Sequence, residues 1–75
     1  MNNMKYCIFT MSTLTYAYKG KEALERAGIR CRIVHLNGTE TKKGCRYGVA
    51  VFPSDKSEAS RTLQNAGAVY GEIIT

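Results

Sequence analysis

Seventy-five residues with a net charge of +5 make one small domain with a modest core. That size excludes an enclosed active-site cavity of the usual enzyme kind, so any chemistry falls on a loop or at a partner interface. Eleven Lys and Arg against six Asp and Glu favour acidic partners such as nucleic acid, anionic small molecules or acidic protein surfaces, with a solvated basic surface as the plain alternative.

Residues 1–4 are expected to be a disordered lead into a short β-type run, with no apolar h-region of a signal peptide. No apolar stretch approaches the roughly 18 residues that span a bilayer. The cysteines, Cys7, Cys31 and Cys45, are odd in number and contain no CxxC pair. This spacing argues against a disulfide framework and for a reducing, cytoplasmic setting. It also argues against structural zinc, and His35 is the one histidine, so neither metal nor cofactor is expected.

Residues 5–10 read as a first strand, apolar on both faces, with Tyr6 and Ile8 on one and Cys7 and Phe9 on the other. Cys7 is expected to be a small buried hydrophobe. Ser12 or Thr13 caps a helix running to about Ala27, with Ala17, Gly20, Leu24 and Ala27 as its buried stripe. Gly28 closes that helix, and Gly20 is expected to permit close packing. Tyr16 and Tyr18 read as rings lying over the helix–sheet edge. In residues 29–36, Ile29, Cys31 and Ile33 alternate with Arg30 and Arg32, the pattern of a half-buried second strand. His35, near its end, reads as a satisfied polar residue.

A loop from Asn37 to about Tyr47 leads to a third strand, Gly48–Phe52. Asp55 and Glu58 stand at capping-box spacing before a second helix, with Ala59, Leu63 and Ala66 as its stripe and Gly67 at its close. Residues 69–74 read as the last strand. Leu24-Glu-Arg-Ala-Gly-Ile29 aligns with Leu63-Gln-Asn-Ala-Gly-Ala68, an internal repeat in which a helix end feeds a strand. The order β-α-β-β-α-β predicts a ferredoxin-like α+β two-layer sandwich, with two helices on one face of a four-stranded antiparallel sheet. Phe52, Tyr70 and one side of strand 1 are expected on the open face, suited to dimerisation or base stacking.

In this topology the end of strand 1 lies beside the start of strand 3. Thr10-Met11-Ser12-Thr13 therefore meets Gly44-Cys45-Arg46 at one edge. The start of helix 1 and the cations Lys42, Lys43 and Arg46 favour an anionic sulfur at Cys45. Ser12 and Thr13 are candidate anion binders, and Gly44 and Gly48 are expected to leave the backbone open to a partner's sulfur. No Cys-His-Asp or Cys-His-Asn set is present for a hydrolase.

Three stretches carry a family resemblance: Phe9-Thr10-Met11-Ser12-Thr13, Ala27-Gly28-Ile29 and Gly44-Cys45-Arg46-Tyr47-Gly48-Val49. Across roughly residues 5–74 the chain resembles the small bacterial selenium/sulfur carrier-like domains, formerly a domain of unknown function. The resemblance implies a carrier role in which Cys45 bears a persulfide or selenide and exchanges it between donor and acceptor proteins. The chain departs from the family pattern in two places. Arg46 and Tyr47 stand between Cys45 and Gly48 where many members have glycine directly after the cysteine. Asn37-Gly38 stands where many have a proline.

Two other readings accompany it. One is a single-stranded nucleic-acid-binding module using the sheet face and net charge, although the RNP-type signature is absent. The other is a non-catalytic regulatory domain that forms a homodimer through the open face.

Overall fold

A computed structural model describes residues 6–37 and 44–75. The expected lead at 1–4, and Lys42 and Lys43 of the basic loop, lie outside the described residues. The chain runs β1 (Cys7–Met11), α1 (Leu14–Arg26), β2 (Cys31–His35), β3 (Tyr47–Val51), a 3-10 turn (Pro53–Asp55), α2 (Lys56–Ala66) and β4 (Ile73–Ile74). The sheet order is β2-β3-β1-β4, with every neighbouring pair antiparallel. This is the ferredoxin-like α+β arrangement that the order of elements predicts.

The period of two in the strands decides which side chains meet the helices. Cys7, Phe9 and Met11 of β1 and Val49 and Val51 of β3 pack with Ala17 and Leu24 of α1 and Ala59 and Leu63 of α2. Each fully buried Leu or Phe in this layer contributes roughly 1.5–3 kcal/mol relative to exposure. Tyr6, Ile8, Thr10, Gly48, Ala50 and Phe52 alternate with those residues and take the other face. Strand β1 is fully buried on the helical face at Phe9, while on the other face burial is complete at Thr10 and partial at Ile8.

Gly20 shows why the two helices can share one side of so small a sheet. A Cβ there would stand 2.9 Å from Leu63 Cδ2 and 3.1 Å from Met11 Cε. The close approach expected of this glycine is made to α2 as well as to the sheet.

The internal repeat is also a repeat of geometry. Gly28 (φ 79°) and Gly67 (φ 73°) both take the left-handed conformation that glycine adopts without penalty. In the first copy Ile29 N–H donates to Leu24 O at 2.9 Å and Gly28 N–H to Glu25 O at 3.0 Å. In the second, Ala68 N–H donates to Leu63 O at 3.0 Å and Gly67 N–H to Gln64 O at 3.1 Å. Each is a Schellman closure, and the apolar residues at its two ends, Leu24 with Ile29 and Leu63 with Ala68, are buried.

Three expectations at the helix ends are corrected. Ala27 and Ala66 are exposed, because they fall in the closing turns, where the chain is already turning away from the sheet. The Asp55–Glu58 capping box does not form. Asp55 precedes α2 with φ −98° and ψ 5° and makes no side-chain cap bond, whereas a capping residue needs an extended backbone. Pro53 opens a 3-10 turn, closed by Asp55 N–H donating to Phe52 O at 2.9 Å, and that turn sets the conformation of Asp55.

Candidate functional site

The pairing of β1 with β3 runs from Cys7↔Val51 to Met11↔Tyr47. Two residues further on, the same register brings Thr13 and Cys45 to one end of the sheet, the edge at which both were expected. Thr13 caps α1, its hydroxyl oxygen accepting the Tyr16 N–H at 3.2 Å, while Ser12 beside it is exposed. Gly44 is exposed with φ 70°, a left-handed bend that turns the chain into Cys45. Arg46 is exposed, and its carbonyl accepts the Leu36 N–H at 2.7 Å, which extends the β2–β3 ladder by one bond beyond His35↔Tyr47.

Cys45 itself is only 9% exposed. Its Sγ lies 4.0 Å from where a Cβ on Gly71 would stand, and the Thr10 hydroxyl lies 3.1 Å from the same point. The sulfur thus reaches the segment just before β4, across the end of β1. Thr10 is fully buried there. Its Oγ1 accepts the Glu72 N–H at 2.7 Å, while its main chain accepts from Gly71 N–H at 2.8 Å and donates to Glu72 O at 2.9 Å. Sequence reasoning brought Thr10 to this edge as part of the Thr10–Thr13 stretch but passed over Gly71. Gly71 carried a signal, since a glycine inside a strand pattern marks a close approach of other groups.

Gly48 does not open the backbone beside the sulfur. A Cβ on it would stand 2.6 Å from Ile8 Cγ2 and 3.4 Å from Leu36 Cδ1, so neighbouring side chains already close its space. Among the described residues, Gly44 and Gly71 are the exposed glycines on this edge.

The other two sulfurs are placed differently. Cys7 is 3% exposed in the core, as expected. Cys31 is half-buried beneath α1, with its thiol donating to the Lys21 carbonyl at 3.7 Å. Burial pushes the Cys31 thiol pKa up, Glu25 pushes it further in the same direction, and Lys21 opposes them. All three cysteines are thiols rather than disulfides. Among the described residues no group of three or more His, Cys, Asp or Glu is placed to hold a metal ion.

The open face differs from expectation in one aromatic. Tyr70 packs edge-on against Phe9 at 4.9 Å, and its hydroxyl lies 2.6 Å from Ser60 Oγ of α2, which ties it to the helical layer. Tyr6, with its ring 5.6 Å from Phe52, is the aromatic that shares the open face. His35 is exposed, its ring 5.2 Å from that of Tyr47. Tyr16 packs against the core as a helix–sheet ring should, whereas Tyr18 is 58% exposed.

The fold and the position of Cys45 define a ferredoxin-like domain with a sulfur at the end of its central strand pair. Compared with protein-family models, curated proteins and solved structures, the chain matches none. No helix among the described residues is long and apolar enough to cross a membrane.

Proposed function

We propose that this domain is a sulfur or selenium carrier and that Cys45 is the carrying residue. The observation that supports this reading is the placement of Cys45 Sγ beside Gly71, at the sheet end where α1 begins. A side chain at position 71 would stand against the sulfur, and glycine leaves that approach to a partner. Cys7 lies in the core, while Cys31 is half-buried with its thiol bonded to the Lys21 carbonyl of α1, away from this edge.

The transfer is a thiol–persulfide exchange. The Cys45 sulfur, having released its proton to solvent, attacks the terminal sulfur of a donor's cysteine persulfide. A new S–S bond forms on Cys45 as the donor's S–S bond breaks, and the donor cysteine leaves as a thiolate that takes up a proton. One sulfane sulfur changes hands, so no external oxidant or reductant is consumed. Arg46, next to Cys45 in sequence, supplies positive charge for the thiolate and persulfide anions of the exchange; Lys42 and Lys43, also expected to do so, lie outside the described residues. Ser12 and Thr13, at the start of α1, supply hydroxyl and backbone donors from the other side. With Cys45 only 9% exposed, a donor that docks on this edge loads it faster than dissolved polysulfide does.

The test is incubation with a cysteine desulfurase and cysteine, read by intact and peptide mass. One added sulfur on the Cys45 peptide, lost in Cys45→Ser and kept in Cys7→Ser/Cys31→Ser, is the expected result. No uptake, or equal uptake by Cys45→Ser, overturns the reading.

A further inference from the structure

The other end of the sheet carries a second feature that the carrier reading leaves unused. Tyr6 and Phe52 form a ring pair there, at 5.6 Å with an interplanar angle of 36°. Beside them a cleft of about 140 Å³ is lined by Arg30, Arg32 and Ala50. The register shows why these groups converge. Cys7 and Cys31 both pair with Val51, so the segments just before β1 and β2 and just after β3 reach the same end of the sheet. Arg30 and Arg32 are both exposed, and the small Ala50, buried beneath the cleft, leaves room above it.

The chemistry of the lining narrows the occupant. Among the described residues the cleft is lined by two arginines and by no carboxylate-bearing residue, so an anion complements it. An isologous pairing of two copies would instead gather four guanidinium groups around it, which disfavours a second copy. The volume is well below the roughly 300–1,000 Å³ of an enclosed small-molecule site, so the cleft takes a flat ring and not a whole cofactor. Aromatic faces that stack bases, beside arginines that track phosphates, are the two components of single-strand recognition.

We infer that this face binds a short single-stranded nucleic-acid segment. A base stacks on the Tyr6–Phe52 pair, and the backbone phosphates lie against Arg30 and Arg32. The Cys7↔Val51 and Met11↔Tyr47 pairs are four residue steps apart, roughly 13 Å at about 3.3 Å per residue. The site therefore lies apart from Cys45, and the two readings stand or fall separately.

The experiment is fluorescence anisotropy of a labelled oligouridylate of about ten nucleotides, and its oligothymidylate counterpart, across a salt series. Tyr6→Ala, at a 36% exposed side chain, should weaken binding roughly 5- to 150-fold while the circular dichroism spectrum stays unchanged. Arg30→Gln/Arg32→Gln should lower the slope of log affinity against log salt by about 1.4, at about 0.7 per phosphate contact. Lys19→Gln/Arg61→Gln removes the same charge from the helical layer and should leave both readings close to wild type. Cys45→Ser should bind as wild type.

The inference is overturned if no binding is seen at low salt. It is equally overturned if Tyr6→Ala binds as wild type, or if the helical-layer control weakens binding as much as the arginine pair does. A dimer in sedimentation that Tyr6→Ala dissociates would assign the face to a second copy, and preference for an acidic peptide over the oligonucleotides would assign it to protein. Either result overturns the nucleic-acid assignment.

Discussion

Cys31 is where one side chain links charge to stability. Its thiol is neutral when protonated, and burial, with Glu25 nearby, raises its pKa in the folded protein. A group with a raised folded pKa favours the folded state at the lower pH. That contribution is whole below the ordinary thiol value and is lost as pH rises through the folded one. We therefore predict that the thermal midpoint of the wild type falls from roughly pH 8.5 upward, and that Cys31→Ala flattens the decline. Thermal melts across the alkaline range check this, and parallel curves for the two proteins would refute it. The alternation of Ile29, Cys31 and Ile33 with two arginines placed Cys31 on the core side, where it is only half-buried, because β2 is an edge strand. The neighbours Lys21 and Glu25 were not legible, because they depend on which turn of α1 crosses β2.

Element by element, β4 departs furthest from its pattern. Residues 69–74 read as a six-residue strand, yet only Ile73–Ile74 pair as one, and Val69 is 64% exposed. The reason lies opposite Thr10 of β1, whose main chain bonds to both Gly71 and Glu72: Gly71 N–H donates to the Thr10 carbonyl, and the Glu72 N–H turns to the Thr10 hydroxyl instead. Thr10→Val keeps the shape but removes the hydroxyl that the part-buried Glu72 N–H donates to, a loss of about 1 kcal/mol. Urea denaturation should show that loss, and amide exchange at Gly71 and Glu72 should quicken more than in β3. Unchanged protection there would mean that the hydroxyl does not hold the strand. Much of the Cys45 site was foreseeable, because adjacent β1 and β3 bring Thr13 and Cys45 to one edge. The depth of the sulfur was not, since it depends on Gly71, 26 positions away in sequence.

At the scale of the whole molecule, the core is one layer thick and has little to spare. Leu63 is 0% exposed and meets the space above Gly20. Leu63→Ala should cost about 2–5 kcal/mol, a large share of the stability a domain of this size commands. Adding Gly20→Ala should return about 1 kcal/mol, since the new Cβ finds room in the vacated space and favours the helix. Paired urea melts of the single and double variants test this, and a further loss on adding Gly20→Ala would refute it. The fold was readable because both halves announce the same helix closure, Leu-x-x-Ala-Gly, at matching places.

The sheet order has a consequence of its own. The first half of the chain supplies β1 and β2, yet these strands never touch, because β3 from the second half lies between them; likewise β1 lies between β3 and β4. Each half is thus a pair of prongs with a gap one strand wide, and only the other half, or a borrowed copy of its strand, fills it. A ferredoxin-like domain of this order is two interdigitated halves that are mutual templates, so divided in two it would be a pair of complementary fragments rather than two smaller domains.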